Sequence, residues 1–384
     1  MGKTVLTLGA GTGGLVVAHR LRAALQKEHR VVLIEREASH VFAPSLLWLM
    51  TGDRTAKDVS RPIQRLERRG IEILRGEVER IDPAKREVTV GGRSLIGDYL
   101  VIALGAELAP ETIPGLAQAG HNFYALAGAE GLRDALARFT GGKLVVLTAA
   151  PAYKCPAAPY EAAMLLESAC RKRGIRDRTE IDLYAAEPEP MAVAGPEVSR
   201  AVRGMMEAKG IAYHPEHQIR EVDLAAHRLK FTNGTEASFD LLAYVPPHRA
   251  PKVVREAGLT GETGWIPVDR HALETKHARV YALGDVVGIP LKLGKPLPKA
   301  GVFAKGEAEV VAANIARAIT GKGKRASFNG DGACFIEAGD GRAGFGDGNF
   351  YAEPLPRVKV RQVGRHWHAA KVLFEKYWLW RWLS

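Results

Sequence analysis

The 384-residue sequence predicts an α/β protein with two Rossmann-like dinucleotide-binding domains and a small C-terminal domain. Three observations predict it. A glycine-rich turn, Gly9-Ala-Gly11-Thr-Gly13-Gly14, stands between an apolar β-rich run and a run with helical spacing. The same strand–turn–helix–strand order returns from Lys143. A last segment from Arg325 follows a Gly/Lys linker at Gly321–Lys324.

The first unit has every part of a dinucleotide fingerprint. Lys3–Leu8 reads as a strand, and Leu15, Ala18, Leu21 and Leu25 share one helix face. Arg30–Ile34 reads as a second strand that ends on Glu35. Gly9 makes the tight turn, Gly11 lets the backbone approach a pyrophosphate, and Gly14 lets helix and strand pack closely. The helix N-terminus favours an anion there, and Glu35 would take ribose hydroxyls. Two later apolar strands end on turn residues: Tyr99–Ala106, with Gly105, and Arg279–Val286, with Gly284-Asp285.

The second unit keeps the pattern and loses its glycines. Lys143–Thr148 is a strand, Pro159–Lys172 a helix and Glu180–Ala185 a further strand. The turn between the first two, Ala149–Glu161, contains no glycine and three prolines. Side chains there hold the backbone off a pyrophosphate, and proline removes amide donors. This unit is therefore not expected to bind a dinucleotide. Cys155 sits in the turn, where a strand's carboxyl end faces the ligand crevice of an open α/β sheet. Lys154 and the following helix N-terminus are expected to favour its thiolate, with a buried structural thiol as the alternative.

Composition bounds the rest. Apolar residues make up 46% and charged residues 25%, which excludes a disordered, collagenous or disulfide-stapled chain. No run approaches the roughly 18 apolar residues of a spanning helix. The net charge of +11 permits anionic partners, yet no nucleic-acid or metal-ligating motif accompanies it. Three cysteines cannot staple a chain of this length, so those that react are expected to be catalytic. The N-terminus shows no secretory signal pattern, which gives the expectation of a cytoplasmic protein or one on the cytoplasmic side of a membrane.

Together these motifs resemble the flavoprotein sulfide dehydrogenases. That family includes sulfide:quinone oxidoreductase and the flavoprotein subunit of flavocytochrome c sulfide dehydrogenase. The resemblance runs through Gly9–Gly14, Lys154–Glu161, Val245–Pro251, Ala282–Val286, Leu297–Ala304 and Ala333–Gly346. The Cys-Pro-x-x-Pro-Tyr-Glu pattern at Cys155–Glu161 is its most specific part. It implies a glutathione-reductase-like fold and one FAD, held by Gly9, Gly11, Gly14, Glu35, Gly105, Asp285 and Lys299. It implies that Cys155 and Cys334 form a redox-active bridge beside the flavin, although Cys334 read by itself could equally be a core residue. Glu161 would shuttle the sulfide proton, or else serve as a first-turn acid facing the helix dipole. Lys299 would stabilise anionic reduced flavin, or else be an exposed lysine. Cys170 lies on a helix face with Ala163, Leu166 and Ala169 and reads as packing. The family's further cysteine upstream of Cys155 is missing here, which leaves the sulfur chain length and its release open.

The function implied is oxidation of sulfide to polysulfide or sulfur, with electrons passed to membrane quinone. Phe345, Phe350 and Tyr351 are candidates for the quinone pocket, with packing as the alternative. The rivals are an NADH:quinone oxidoreductase of the same fold, a cytochrome-linked sulfide dehydrogenase and a silent FAD-binding module. Residues 1–110 and 275–320 are expected to form a split FAD domain, 111–274 the degenerate domain, and 321–384 the C-terminal domain. Trp367, Trp378, Trp380 and Trp382 crowd the C-terminus among Lys371, Lys376 and Arg381. Helical spacing puts Phe374 and Trp378 on one side, with Trp382 continuing it, and Lys371 and Glu375 on another. This reads as a peripheral anchor for an anionic membrane surface. The alternatives are a helix docked on the protein's own core or a contact in a homo-oligomer.

Overall fold

The computed structural model describes residues 2–384; Met1 lies outside the described residues. The first sheet has five parallel strands, ordered Val280–Ala282, Tyr99–Ile102, Thr4–Leu8, Arg30–Glu35, Glu72–Arg75. Val5, Leu6, Leu8, Val32, Leu33 and Leu100 are fully buried. Burial on both faces is what a parallel sheet covered by helices requires. The helix Thr12–Ala24 packs under the first strand through Leu15, Ala18 and Leu21, and the helix Gly301–Thr320 lies against it.

The second sheet repeats this plan with His121–Asn122, Leu241–Val245, Gly142–Thr148, Thr179–Ala185 and Ala212–His214. Each unit carries a three-stranded antiparallel insert, ahead of the fourth main strand in the first unit and of the fifth in the second. These inserts are Val78–Asp82, Glu87–Val90 and Arg93–Ile96 in the first unit, and Ile219–Asp223, Arg228–Phe231 and Glu236–Ser238 in the second. The return to the first unit comes earlier than residue 275. Ala250, Val254, Leu259 and Ile266 already pack in the first unit's core, and His248–Arg249 pairs with Glu107–Leu108. Sequence periodicity marks elements, whereas this boundary is set by which core receives them.

The C-terminal domain is an antiparallel sheet, Asp331–Gly339, Arg342–Asn349 and Arg357–Gly364, followed by the helix Arg365–Leu383. Ile336 and Ala338 enter the core of the second unit. Trp378, Leu379, Trp382 and Leu383 enter the core of the first. This corrects the expected orientation of the last helix. Trp378 donates from Nε1 to His40 Nε2 at 3.2 Å, and Trp382 packs edge-on against His19 with ring centroids 5.2 Å apart. These two tryptophans dock the helix on the protein itself. Lys371 and Glu375, read as its polar side, are buried too. The outward face instead carries Leu373, Tyr377 and Trp380, which are 66%, 53% and 65% exposed, with Phe374 at its edge. Apolar residues occupy two sides of this helix, so spacing alone cannot say which side meets water. Among the described residues no helix is long and apolar enough to cross a membrane.

Candidate active site

The glycine-rich turn has the geometry of a nucleotide cradle. Gly9 has φ +93°, and a Cβ there would lie 2.5 Å from Ala103 O. A Cβ on Gly14 would lie 1.8 Å from Gly9 O, so only glycine lets the helix sit this close to the strand. Gly11 precedes the first helical residue and faces open space, with nothing within 4 Å of an added Cβ. The amides at a helix N-terminus and this open approach fit a pyrophosphate. Glu35 accepts from Ala10 N at 2.6 Å and from Glu37 N at 2.9 Å, which fixes its carboxylate at the lip of the turn. Gly105 has φ +68° and also borders open space. These residues fit the adenosine and pyrophosphate parts of FAD.

Asp285 lies in the turn Gly284–Val286, directly after the edge strand Val280–Ala282. Lys299 is buried, which removes the exposed alternative. Its Nζ donates to Asp285 O and Val287 O, both at 2.8 Å, and stands 3.5 Å from the centroid of the Trp265 ring. Burial lowers its pKa to about 8, with Asp285 and Glu307 opposing the fall. Glu307 is buried behind it and accepts from Gly284 N at 2.6 Å. Burial pushes that carboxyl up to about 7, against the Gly284 hydrogen bond.

The degenerate turn is filled by its own side chains. Glu187, just past the strand Thr179–Ala185, occupies the acidic position of a second nucleotide site. It accepts from Tyr160 OH at 2.9 Å, from Thr148 Oγ1 at 3.0 Å and from Tyr153 OH. Tyr153 and Tyr160 are buried in the second core. A second dinucleotide would have to displace this satisfied cluster.

The same turn holds Cys155 with φ +50°, a conformation most non-glycine residues avoid. Two long-range bonds pin it there. Cys155 N donates to Lys299 O at 2.6 Å, and Tyr124 OH donates to Cys155 O at 3.0 Å. Cys155 therefore sits on the seam between the two dinucleotide-type units. Cys334, on the strand Asp331–Gly339, is near enough for its charge to act on Cys155, and Cys170 stays fully buried in its helix. All three cysteines are free thiols in this structure.

Glu161, in the first turn of the helix Ala158–Lys172, is buried. Its Oε1 accepts from Lys371 Nζ at 2.8 Å and from Glu337 N at 2.9 Å. Both cysteines feel the charges of this pair. The expected acidification of Cys155 by Lys154 does not occur. Burial, then the charges of Cys334 and Glu161, hold its thiol well above the ordinary range, and Lys371 is the cation that opposes them. The Cys334 thiol is also pushed up, to about 12, by the protein packed around it and then by the Glu161 charge, although the residue itself is exposed at the surface.

Beside Cys334 runs a row of aromatic rings. Trp367 stacks on Phe345 at 4.6 Å, and Phe345 lies 5.1 Å from Phe335, its cross-strand partner. Phe335 lies 6.4 Å from Phe374, which meets Phe42 at 5.8 Å. Of the three aromatic candidates, Phe345 belongs to this row, whereas Phe350 and Tyr351 join a second aromatic group through Phe303 and Phe328. Phe350 packs on Phe303 at 5.0 Å. Tyr351 donates to Arg270 O and sits edge-on to Phe328, so its environment is the first unit's core. Alternation along a strand could have pointed to Phe335. Lys371, Glu337, Phe42 and Phe374 had no signal in their own neighbourhoods.

The profile of the pyridine nucleotide-disulphide oxidoreductases matches residues 3–313. The chain belongs to that family. The sulfide-quinone reductase of Aquifex aeolicus is 27% identical over 99% of this chain and 91% of its own length. The X-ray structure of the sulfide:quinone oxidoreductase from that bacterium superposes with a TM-score of 0.89, covering 99% of this chain and 91% of that one at 26% identity. The NDH2 of Plasmodium falciparum, solved with NADH, shares the fold at a TM-score of 0.76 and 15% identity, covering 97% of this chain and 94% of its own. Within the pyridine nucleotide-disulphide oxidoreductases, then, the chain keeps the first nucleotide cradle and fills the second.

Proposed function

We propose that this protein is an FAD-dependent sulfide:quinone oxidoreductase working through Cys155 and Cys334. One observation carries the reading. Two cysteines from distant parts of the chain both feel the charges of one buried Glu161–Lys371 pair, while the second nucleotide turn is closed by Tyr153, Tyr160 and Glu187. The likeness to the Aquifex aeolicus sulfide-quinone reductase over the whole chain supports the same substrates.

The Gly9–Gly14 turn, Glu35 and Asp285 would hold FAD, which would supply a two-electron carrier between the sulfur side and quinone. The residues supply the rest. Hydrosulfide attacks the Cys155–Cys334 bridge: one S–S bond forms, one breaks, and a persulfide and a thiolate result. Thiols with raised pKa values leave poorly, so the departing sulfur needs a cation or a proton close by. Lys371 supplies the charge and Glu161 the proton-carrying carboxylate. Lys299, pinned to the Asp285–Val287 backbone, places a positive charge where reduced flavin would be anionic. The Phe335, Phe345, Phe374 and Trp367 row takes the quinone ring, in place of a pocket built on Phe350 and Tyr351. The outward Leu373, Tyr377 and Trp380 face, flanked by Lys376 and Arg381, meets the anionic bilayer surface from which the quinone comes.

The test is anaerobic reduction of the flavin absorbance. Micromolar sulfide bleaches it within seconds, and millimolar NADH does not. Rapid bleaching by NADH with none by sulfide would assign the protein to the NADH-dependent side of the fold.

A further inference from the structure

The sulfur chemistry must move protons, and the buried Glu161–Lys371 pair cannot exchange them with water directly. Oxidising one hydrosulfide to a sulfane sulfur releases two electrons and one proton. The electrons go to the flavin and then quinone; the proton has to leave the cysteine pair. Glu161 and Lys371 are both nearly closed to solvent. They do not end in a closed pair. Lys371 Nζ also lies 3.8 Å from Glu337 Oε1, and Glu337 Oε2 lies 3.0 Å from Nδ1 of His368. Glu337 is fully buried, whereas the His368 side chain is about a third exposed. His368 lines a cavity of about 1150 Å³ between the C-terminal helix, the helix Ala158–Lys172 and the segment after Trp48.

We infer that Lys371, Glu337 and His368 form a proton exit that carries the sulfide proton from Glu161 to the water of this cavity. This rests on the sulfide reading above. In the outward step Glu161 takes the proton, Lys371 receives it while passing one to Glu337, and Glu337 passes one to His368 Nδ1. The imidazole, which starts with its own proton on Nε2, then loses that proton to cavity water; exchange with the same water restores the starting tautomer, and every group regains its starting charge. Burial disfavours the Lys371 ammonium, but Glu161 and Glu337 outweigh it and raise its pKa, so the chain rests with a proton at its centre. Burial also raises the Glu337 carboxyl, against the charge of Lys371 and the His368 hydrogen bond, which brings it closer to a histidine in proton affinity. The other charges packed on this line are Arg54 and Glu375. They pair with each other at 2.9 Å, so neither adds an unbalanced charge. Trp48 stands edge-on to His368 at 5.7 Å, with Lys371 5.1 Å from its ring. Trp48 also lines the cavity, and its buried Nε1 has no partner among the described residues.

Wild-type reduction by sulfide is measured first: no bleaching at all refutes the sulfide reading, and only bleaching allows the exit to be judged. His368→Gln keeps a hydrogen bond to Glu337 but cannot carry a proton, and His368→Ala opens a hole onto the cavity. Both are expected to keep the oxidised flavin spectrum and the folded near-UV circular dichroism. Both are expected to slow the reduction roughly a hundredfold, the usual range for a lost acid–base group. Added imidazole restores His368→Ala but not His368→Gln, and a series of substituted imidazoles gives rates that depend on their pKa. Glu337→Gln, which cuts the line one step inward, slows reduction equally and is not restored by imidazole. Wild-type rates and pH profile in His368→Gln, or a slowed His368→Ala that no imidazole restores, would overturn the exit while leaving the cysteine chemistry standing.

Discussion

Replacing Leu373, Tyr377 and Trp380 together by serine should detach the protein from membranes without unfolding it. These three side chains are between half and two-thirds exposed, while Trp378 and Trp382 on the opposite side are buried. Full burial of a large apolar side chain is worth about 1.5–3 kcal/mol. The exposed share of each is therefore about 1–2 kcal/mol, and an interface that covers half of it gains about 2 kcal/mol over the three. That is about a thirtyfold change in partitioning. Lys376 and Arg381 add an attraction that salt screens over about 8 Å at physiological ionic strength. The assay is co-sedimentation with vesicles of zwitterionic lipid and of the same lipid with an anionic fraction, at low and high salt. The triple variant should lose about thirtyfold in binding and slow with long-chain quinone, while a water-soluble short-chain quinone is reduced as before. Trp378→Ala is the contrasting control: it should lower the melting temperature, as loss of a buried tryptophan costs about 3–5 kcal/mol. Undiminished sedimentation of a folded triple variant refutes the reasoning. Deleting the whole tail would not test it, because the deletion also removes Trp378, Trp382 and Leu383 from the core.

Three further predictions follow from the site. Cys155→Ser and Cys334→Ser should each abolish reduction by sulfide while the flavin stays bound, and the double variant should be no worse than either, as for residues acting as a unit; Cys170→Ser should keep turnover and lose about 1 kcal/mol in urea unfolding. Gly11→Val should fold and lose FAD affinity about a hundredfold, roughly 2.7 kcal/mol of pyrophosphate contacts. Gly14→Ala should fail differently, destabilising the fold itself, because its Cβ would meet Gly9 O at 1.8 Å; flavin fluorescence and thermal melts separate the two. Glu307 gives a pH signature: its folded pKa is raised from 4.5 to about 7, so its stabilising contribution is complete below 4.5 and is lost as pH rises through 7. Urea unfolding should lose about 3 kcal/mol across that window, and Glu307→Gln should flatten the slope.

What could be read in the sequence was what local sterics dictate. Gly9, Gly11 and Gly14 are legible because one missing Cβ decides a turn, and Glu35 because a strand of fixed length delivers it to that turn. The missing glycines of Ala149–Glu161 were legible for the same reason. Lys371, Glu337 and His368 were not, since each works through a partner far away in sequence: Lys371 reaches Glu161 from the last helix, and Glu337 reaches His368 from a strand. Spacing grouped Trp378 and Trp382 correctly on one side of their helix and could not say that His40 and His19 wait there to receive them.

The turn around Cys155 links these two kinds of information. A phosphate-binding turn needs glycine so that backbone amides can close on an anion. Here the amide of Cys155 is spent on Lys299 O, its carbonyl on Tyr124 OH, and its φ of +50° is held by those two bonds. Strain of this kind costs about 1–3 kcal/mol and persists where the surroundings over-determine it. What it secures is a fixed thiol position beside the Lys299 carbonyl, on the seam where the first unit's cofactor groove meets the second unit's closed one. The closed turn and the fixed cysteine are therefore one structural arrangement: the Cys155 amide and carbonyl that would lie open to a pyrophosphate are bonded within the protein, and the same bonds anchor the residue.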